Sequence, residues 1–414
     1  MSDYRADESW ALAQDSLDPL ASFREEFELP TDARGAPLVY LAGNSLGLMP
    51  RAAREAVEAE LDDWSRLGVA GHLQGRTPWY SYHETVRESL AKLVGAEPHE
   101  VVAMNSLTVN LHLLLVSLYR PTASRARILL ETIPFPSDAY AIESHLETRG
   151  FGPEQVLRAD PDALEGVIEE WSGEIAVVWL SAVHYFSGRW IDIERITRVA
   201  HRAGCLIGLD LAHAIGNVEL ALHDHDVDFA VWCSYKYLNA GPGAIGGCYL
   251  HERHARRIDL PRFAGWWGND PATRFAMQSR PRFAPVPGAD GWQLSNPPIL
   301  SFAPLRASLS LFDRAGMDRL RRKSVRLTGY LEFLVASLGN QGVEVLTPRD
   351  PARRGAQLSI RMKGHDAQSL VGALEARGVV TDFRDPDVIR AAPAPLYNSF
   401  HDVWRFHETL RALL

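Results

Sequence analysis

This 414-residue chain has few cysteines, no excess of positive charge and no long apolar run. Its three cysteines, Cys205, Cys233 and Cys248, lie in apolar, strand-like contexts without metal-ligand spacing, so we expect buried reduced thiols and no metal centre. The net charge of −9 provides no basic field for nucleic acid. No apolar run approaches the roughly 20 residues that cross a bilayer, and the acidic start MSDYRADESW predicts no leader peptide. We expect a cytoplasmic protein whose partners are neither nucleic acid nor membrane.

Short apolar runs alternate with amphipathic stretches through the middle of the chain. Four of them predict buried strands: RILLE (127–131), IAVVWLS (175–181), CLIGLD (205–210) and DFAVWC (228–233). Stretches between them, such as DIERITRVAHRAG, have the period of a helix. Because such strands are apolar on both faces, they predict an α/β fold with a mostly parallel sheet covered by helices.

The pattern changes near residue 305. A long helix-rich span is followed by strand-like VEVLTP and QLSIRMK, helix-like AQSLVGALEARG and a terminal helix from about SFHDVWRFHETLRALL. We therefore predict an N-terminal arm over residues 1–30, a large domain over 31–304 and a smaller α+β domain over 305–414.

Reactive and polar side chains follow the predicted strands, where ligands bind in open α/β sheets. Lys236 comes just after DFAVWC, Asp210 ends CLIGLD with His213 close behind, and Ser181 ends IAVVWLS. One crossover and one strand separate Asp210 from Lys236, which fits neighbouring strands. These residues are expected to meet at one edge of the sheet.

Two further segments reach the same edge. RILLE leads into TIPFPSDAY, which contains Phe135 and Asp138, while Leu107 and Thr108 lie at the start of an apolar helix. The free N–H groups of a helix N-terminus suit a phosphate, and Phe135 could stack on an aromatic ring. Taken singly, such residues are often helix caps or core; the hypothesis depends on their shared location.

Together these parts fit pyridoxal 5′-phosphate, an anionic aromatic aldehyde. A lysine amine near apolar and aromatic groups loses its charge more easily than one in water, which allows it to form a Schiff base with the aldehyde. An aspartate beside the pyridine nitrogen keeps that nitrogen protonated, so that the ring can accept electrons. Lys236 and Asp210 are the residues predicted for these two tasks.

Seven segments resemble the kynureninase family in order, from about residue 38 to about residue 405: YLAGNSLGLMP, LTVNLHLLL, FPSDAYAIES, LDLAHAIGNVEL, WCSYKYLNAGPG, LSNPPIL and APLYNSFHD. The resemblance implies the fold of type I pyridoxal-phosphate-dependent transferases. That fold has a large domain with a mostly parallel seven-stranded sheet covered by helices, and a smaller α+β C-terminal domain. It also implies a homodimer with active sites at its interface.

The resemblance also implies roles for individual residues. Lys236 and Tyr235 would be catalytic, with Lys236 as covalent anchor and base and Tyr235 as a proton relay. The residues implied to bind the cofactor are Leu107, Thr108, Phe135, Pro136, Ser137, Asp138, Ser181, Asp210, His213, Tyr235, Lys236, Trp266 and Asn296. The residues implied to bind the substrate are Asn44, Ser45, His72, Ser295, Asn296 and Arg390. Arg390 would hold the α-carboxylate, while Trp266 and Asn296 would come from a neighbouring loop or the partner subunit.

The implied reaction is hydrolysis of the Cβ–Cγ bond of L-kynurenine or 3-hydroxy-L-kynurenine. Its products are L-alanine and anthranilate or 3-hydroxyanthranilate. His72 and Ser295–Asn296 match family members that favour the 3-hydroxylated substrate. Asn269, however, stands where the family usually has histidine, and Trp267 is bulkier than the expected aromatic residue. A substituted kynurenine from secondary metabolism is therefore an open alternative.

Other functions stay open from the sequence alone. Another fold-type I enzyme, such as an aminotransferase or a cysteine desulfurase, would share most of these parts, although a desulfurase needs a mobile nucleophilic cysteine. A catalytically silent relative that only binds the cofactor is a further alternative. NAD synthesis, tryptophan catabolism and an antibiotic route are all compatible with the sequence.

Overall fold

Helices make up much of the chain. The computed structural model describes residues 4–276, 278–279, 282–339 and 341–414. The α-helices are α1 (Glu8–Ser16), α2 (Arg51–Leu67), α3 (Gly71–Gln74), α4 (Arg87–Val94), α5 (Leu107–Leu118), α6 (Pro136–Thr148), α7 (Leu164–Glu170), α8 (Ile193–Arg202), α9 (Glu252–Ala255), α10 (Ile299–Ala315), α11 (Met317–Ser337), α12 (Ala367–Glu375) and α13 (Phe400–Arg411). Short 3₁₀ helices span Ala21–Glu26, Gly68–Ala70, Trp79–Val86, Pro98–Glu100, Pro153–Gln155, Trp266–Gly268, Arg274–Ala276, Ala289–Trp292 and Pro351–Arg353. None of the helices in the described ranges has both the length and the apolar character needed to cross a membrane.

Within the described ranges, the strands form one large sheet, one smaller sheet and two short pairs. They are β1 (Phe27–Glu28), β2 (Val39–Tyr40), β3 (Met49–Pro50), β4 (Val101–Ala103), β5 (Arg127–Glu131), β6 (Val156–Ala159), β7 (Ile175–Ser181), β8 (Leu206–Asp210), β9 (Phe229–Trp232), β10 (Gly247–Leu250), β11 (Val343–Val345), β12 (Leu358–Met362), β13 (Val379–Val380), β14 (Asp382–Arg384) and β15 (Val388–Ala391).

The large sheet has, among the described residues, seven strands in the order β4-β10-β9-β8-β7-β5-β6. Strands β9, β8, β7, β5 and β6 are parallel, and β10 is antiparallel to both of its neighbours. Strands β5, β7, β8 and β9 match the four predicted strands to within one residue at each end. The predicted mostly parallel sheet is therefore confirmed, and β8 and β9 are neighbours as expected.

Helices cover this sheet on both faces. Along β9, Phe229 and Val231 belong to one apolar cluster, whereas Ala230 and Trp232 belong to another. Successive side chains of a strand point to opposite faces, so both faces of β9 must be buried. This double covering leaves the carboxyl ends of the strands as the place where polar side chains can gather.

The C-terminal part has its own antiparallel sheet, in the order β11-β12-β15-β14. Its apolar cluster includes side chains of α11, α12 and α13. Strand β2 pairs in parallel with β13, so residues 39–40 are joined to this part. We keep the division into 1–30, 31–304 and 305–414 as a proposal; α10 runs through residue 305.

The N-terminal arm is held against the C-terminal helices by polar contacts. Asp15 accepts hydrogen bonds from the backbone N–H groups of Phe400 (2.6 Å) and His401 (3.0 Å), at the start of α13. Asp18 forms a buried ion pair of 2.6 Å with Lys323 of α11. The arm thus provides acceptors for helix N–H groups that would otherwise lack partners.

Candidate active site

Lys236 lies in a buried position just beyond the end of β9. Its Nζ is 5.4 Å from the centre of the Phe135 ring and 5.9 Å from that of Tyr235. No carboxylate of the described residues forms an ion pair with this amine. Burying an ammonium without a directly contacting carboxylate is costly, so this placement is typical of a lysine that serves covalent chemistry.

Asp210 ends β8, the strand next to that of Lys236, and is also buried. Its Oδ1 accepts a hydrogen bond of 2.7 Å from the backbone N–H of Ala212. Burial raises the pKa of Asp210, while the positive charge of Lys236 opposes that rise. A carboxyl group in this setting becomes ionised more readily when a cation is bound beside it.

A second carboxyl group, that of Asp138, lies close to Asp210. Trp179 Nε1 donates a hydrogen bond of 2.9 Å to Asp138 Oδ2, whereas the buried Oδ1 has no partner among the described residues. Burial raises the pKa of Asp138 well above its usual value, and the charge of Asp210 raises it further. The buried Oδ1 atom of Asp138 is therefore available for a hydrogen bond with a ligand or with the neighbouring carboxyl group of Asp210.

Glu131 and Ser181 complete the row of strand-end side chains. Ser181 Oγ donates a hydrogen bond of 2.5 Å to Glu131 Oε1, and Ser181 lies opposite Asp210 in the sheet. Burial raises the pKa of Glu131 to about 8, so this side chain is protonated at neutral pH. Glu131 and Trp179 are not among the site residues predicted from the sequence. The strand-end rule that identified Asp210 applies equally to Glu131, the last residue of RILLE.

The N-termini of α5 and α6 meet at one side of the pocket. Leu107 is the first residue of α5, and its N-cap Ser106 makes no side-chain capping bond. Thr108 Oγ1 lies 2.8 Å from Ser137 Oγ in the first turn of α6, which begins at Pro136. Free N–H groups and two hydroxyls at a helix start are typical of an anion site, and their predicted role in binding a phosphate stays a prediction.

Gly246 allows the backbone to approach closely at this anion site. Its N–H donates a hydrogen bond of 2.7 Å to the carbonyl of Asn105, directly before α5. A Cβ atom at this glycine would lie 2.6 Å from the carbonyl oxygen of Trp232 and 3.2 Å from the backbone nitrogen of Leu107. A side chain here would force the backbone at Trp232 or at the start of α5 to shift.

Aromatic and imidazole groups line the rest of the pocket. The Phe135 ring packs edge-on against Tyr185 at 5.4 Å. Burial raises the pKa of Tyr235, so its phenol keeps its proton. Burial also lowers the pKa of His213 well below its usual value, and its Nδ1 lacks a partner within the described part of the chain. The pocket thus contains a phenol that can donate a proton and a neutral imidazole.

Arg390 lies inside β15 and is almost wholly buried. Its Nε donates a hydrogen bond of 2.6 Å to Asp382 Oδ1, and its Nη2 contacts the other oxygen of the same carboxylate. Nη1 donates to the carbonyl of Tyr185 at 2.7 Å, and Nη2 donates to Ser45 Oγ at 3.0 Å. The oxygen of the Asn44 amide can accept from Nε and Nη2 at 3.2 Å. The predicted residues Asn44, Ser45 and Arg390 therefore form one group.

Comparison with known proteins identifies the family. The kynureninase of Myxococcus xanthus (strain DK1622) is 56% identical to this chain, and the alignment covers 97% of this chain and 96% of that protein. The chain belongs to the kynureninase family. The family model for the kynureninase C-terminal domain matches residues 320–410, the part that contains Asp382 and Arg390.

Solved structures share the fold of this kynureninase-family chain at low identity. A C-DES mutant with glycine covalently linked to its PLP cofactor has a TM-score of 0.78 and 18% identity, over 94% of this chain and 98% of that one. The cysteine desulfurase CsdA from Escherichia coli has a TM-score of 0.77 and 19% identity, over 95% and 98%. These likenesses establish the fold alone, and the predicted fold-type I architecture is confirmed.

Several residues that the kynureninase resemblance implies make no hydrogen bond, ion pair or aromatic contact with Lys236 among the described residues. Among the contacts of the described residues, none joins His72, Trp266, Ser295 or Asn296 to its pocket. The His72 ring instead packs edge-on against Trp79 at 5.4 Å, and the Trp266 ring lies 4.9 Å from that of Trp267. Their predicted roles stay predictions, and within one subunit no described contact supports them.

The two departures from the kynureninase pattern have structural contacts in their own loop. Asn269 Oδ1 accepts a hydrogen bond of 2.8 Å from the backbone N–H of Ala284. The buried Trp267 ring lies 4.4 Å from the Arg274 guanidinium. Both side chains stabilise the loop after Gly265, and their predicted position at an aryl pocket stays a prediction.

A separate cluster of titratable groups consists of Glu100, His223 and His251. Its potential ligand atoms lie within 4.8 Å of one another. The two imidazole rings are stacked, with centres 5.0 Å apart and planes 12° apart, so their planes do not converge on one ion. Glu100 also accepts hydrogen bonds from the backbone N–H groups of Glu97 and Glu252. These contacts make the cluster a hydrogen-bonded link between loops.

Proposed function

We propose that this chain is a pyridoxal-phosphate-dependent hydrolase that cleaves the Cβ–Cγ bond of L-kynurenine or 3-hydroxy-L-kynurenine. The products are L-alanine and anthranilate or 3-hydroxyanthranilate. The observation that carries the proposal is the buried amine of Lys236, which lacks an ion pair and lies one strand from Asp210, in a chain of the kynureninase family.

The residues of the pocket fit this cofactor. Lys236 would bind its aldehyde carbon, Asp210 and Asp138 would face its ring nitrogen, and the α5 start at Leu107 and Thr108 would hold its phosphate. The unpaired Asp138 Oδ1 supports this assignment, because a buried acceptor without a donor is costly unless a ligand supplies one. When bound, the cofactor supplies an electron sink for a carbanion at the substrate's Cα or Cβ.

The side chains of this protein then orient the substrate and move its protons. Arg390 would bind the α-carboxylate through the remaining N–H of Nη1, because its Nε–Nη2 edge already holds Asp382, and Asn44 and Ser45 lie beside it. Lys236 Nζ would remove the proton from Cα and return a proton to Cα before L-alanine is released, and the electron pair would be held in the bound cofactor in the meantime. Water adds to the Cγ carbonyl, the Cβ–Cγ bond breaks, Cγ leaves as the aromatic carboxylic acid, and Cβ takes up a proton. Tyr235 keeps its phenol proton and is the candidate to relay it.

Product analysis tests this function directly. L-kynurenine and 3-hydroxy-L-kynurenine are supplied separately, and alanine and the two aromatic acids are measured. Lys236→Ala should lower turnover by more than about 10⁴-fold, because the covalent step and the base are both lost. Lys363→Ala, at an exposed lysine paired with Glu344, is the matched control and should keep full activity.

Borohydride reduction supplies a second measurement on the same proteins. The chain contains four lysines, so peptide mapping can assign the reduced cofactor adduct unambiguously. We expect the adduct on Lys236 in the parent protein and none in Lys236→Ala. Turnover and an adduct that both persist in this variant would refute the assignment, and formation of a new amino acid from an added keto acid would instead indicate an aminotransferase.

A homodimer with interface active sites is part of this proposal. Leu61, Trp64, Val69 and Leu73 expose large apolar side chains along α2, α3 and the turn between them, with Val69 85% exposed. An apolar cleft of about 720 Å³ adjoins Leu61. Apolar patches of this kind favour association with a second copy. His72 lies within this segment, so association would bring it towards the partner's pocket.

The cysteines support hydrolysis over desulfuration. Cys205, Cys233 and Cys248 are all buried, and burial raises the pKa of each thiol. A desulfurase needs a reactive, accessible thiolate. Three unpaired thiols also suit the reducing cytoplasm, which we infer as the location.

We infer that the natural aryl group is that of kynurenine or its 3-hydroxy form, and the same product assay with ring-substituted kynurenines tests the alternative.

A further inference from the structure

Two guanidinium groups share one carboxylate beside the pocket. One edge of the Arg390 guanidinium holds both oxygens of Asp382, with a hydrogen bond of 2.6 Å from Nε to Oδ1 and a contact from Nη2 to Oδ2. Arg384 Nη2 lies 3.6 Å from Asp382 Oδ2, which is within ion-pair range but longer than a hydrogen bond. Asp382 and Arg384 both belong to β14, the edge strand next to β15.

The charges and acceptors of this group do not balance. Both arginines keep their charge under all ordinary conditions, whereas Asp382 supplies one negative charge. Arg384 Nε is buried and has no hydrogen-bond acceptor among the described residues. Burial, followed by the charge of Arg390, lowers the pKa of Arg384. The group therefore has room for one more anion and one more acceptor.

This group adjoins the cofactor pocket. Arg390 donates a hydrogen bond to the carbonyl of Tyr185, whose ring packs against Phe135 at 5.4 Å, and Lys236 Nζ lies 5.4 Å from that ring. Besides burial, the positive charges of Lys236, Arg390 and Arg384 lower the pKa of His213 in the pocket. Arg384 thus acts electrostatically on the same pocket as Lys236.

We propose that Arg384 is a second binding residue for the α-carboxylate of the substrate, acting beside Arg390. Asp382 is their shared counter-ion and holds the two side chains at the pocket edge. The substrate carboxylate supplies the missing negative charge and gives Arg384 the acceptor that it lacks. This inference rests on the proposed function, because that function supplies an α-amino acid as the ligand.

The test compares ligands with and without a carboxylate on the cofactor-loaded enzyme. Arg384→Gln should weaken binding of L-alanine, measured by calorimetry, by about tenfold, since one charge-assisted hydrogen bond is lost. Binding of kynuramine, the kynurenine analogue without the carboxylate, should stay unchanged. The KM for kynurenine should rise by a similar factor with kcat nearly constant.

Two further variants sharpen the test. Arg384→Lys keeps the charge and should recover part of the alanine affinity. Arg361→Gln is the matched control, because Arg361 is a similarly exposed arginine of the same sheet that pairs with Asp387 at 3.3 Å; it should leave both affinities unchanged.

The outcomes separate this inference from the proposed function. If Arg384→Gln binds L-alanine as tightly as the parent enzyme, or loses affinity for alanine and kynuramine equally, the inference is wrong. If the parent enzyme releases no aromatic acid from either kynurenine, the proposed function fails instead, whatever Arg384→Gln does to alanine binding.

Discussion

At the scale of single residues, the strand-end carboxyl groups differ in which partner opposes the rise in pKa that burial causes. Asp210 has a nearby cation in Lys236, whereas Glu131 has a hydroxyl partner in Ser181. A hydroxyl donor lowers the pKa of a carboxyl group less than burial raises it here, so Glu131 has a pKa of about 8. Glu131 is therefore expected to contribute a pH-dependent term to stability.

Glu131→Gln tests this expectation. The pKa of Glu131 is raised above its unfolded value, so the folded state binds the extra proton between about pH 4.5 and 8. The free energy of unfolding should fall as pH rises through this window, by at most about 1.4 kcal/mol per pH unit. Glutamine keeps an acceptor for Ser181 and removes the titration. The variant should therefore gain stability relative to the parent from pH 5 to pH 8 in chemical denaturation.

The control for this experiment is Glu143→Gln, at an exposed glutamate that pairs with Arg158 at 3.0 Å. Its stability difference from the parent should stay nearly constant with pH. A difference for Glu131→Gln that is equally constant would contradict an elevated pKa.

Prediction from sequence worked best for residues that follow strands. Lys236, Asp210 and Ser181 each come directly after or at the end of an apolar run, and the structure brings them together. Arg384 gave no such signal, because it lies on a three-residue edge strand whose position depends on pairing with β15. Its surroundings come from contacts distant in the chain, which spacing alone does not encode.

At the scale of elements, the start of α5 depends on the backbone that passes behind it. Gly246→Ala would place a methyl group 2.6 Å from the carbonyl oxygen of Trp232 and 3.2 Å from the nitrogen of Leu107. Since both are backbone atoms, the chain around Gly246 and the start of α5 would have to move relative to each other, and we expect the N–H groups of α5 to lose their alignment on the phosphate. We expect cofactor affinity to fall at least about tenfold, measured by titration of the cofactor-free protein.

Gly372→Ala provides the matched control. Gly372 lies in α12, and a Cβ atom there meets no heavy atom within 4 Å. This change should leave cofactor affinity unchanged and stabilise the helix slightly. Equal cofactor affinity in Gly246→Ala and the parent would show that the α5 start tolerates the shift.

Long apolar or strongly periodic elements were predictable, and short paired ones were not. The strands of the large sheet are buried on both faces and therefore appear as continuous apolar runs, and α12 and α13 appear as amphipathic periods. Strands β2 and β13 have only two residues each, which is too short for a recognisable pattern. Their pairing also joins positions about 340 residues apart, which spacing along the chain does not reveal.

At the scale of the whole molecule, the proposed interface sites predict complementation between inactive variants. Lys236→Ala and Asn296→Ala are each expected to be inactive as homodimers. If Asn296 acts in the partner's pocket, random mixing gives heterodimers with one intact site, and activity should return to about a quarter of the parent value. The mixture is assayed after subunit exchange, with dimer content checked by light scattering.

A mixture that stays inactive despite subunit exchange would place both residues in the same pocket. The matched control is a mixture of Lys236→Ala with Asp210→Asn. Both residues lie in one pocket of one subunit, so this mixture should gain no activity.

The contact between the N-terminal arm and α13 has a consequence for biosynthesis. Asp15 and Phe400 are 385 positions apart, and the carboxylate of Asp15 accepts a hydrogen bond from the backbone N–H of Phe400. At about 5–20 residues per second, the ribosome makes α13 roughly 20–80 s after the arm. Until then the carboxylate of Asp15 has no helix to cap, and the ion pair between Asp18 and Lys323 is not yet covered by α13. The arm therefore cannot complete its contacts with α13 until that helix has been made.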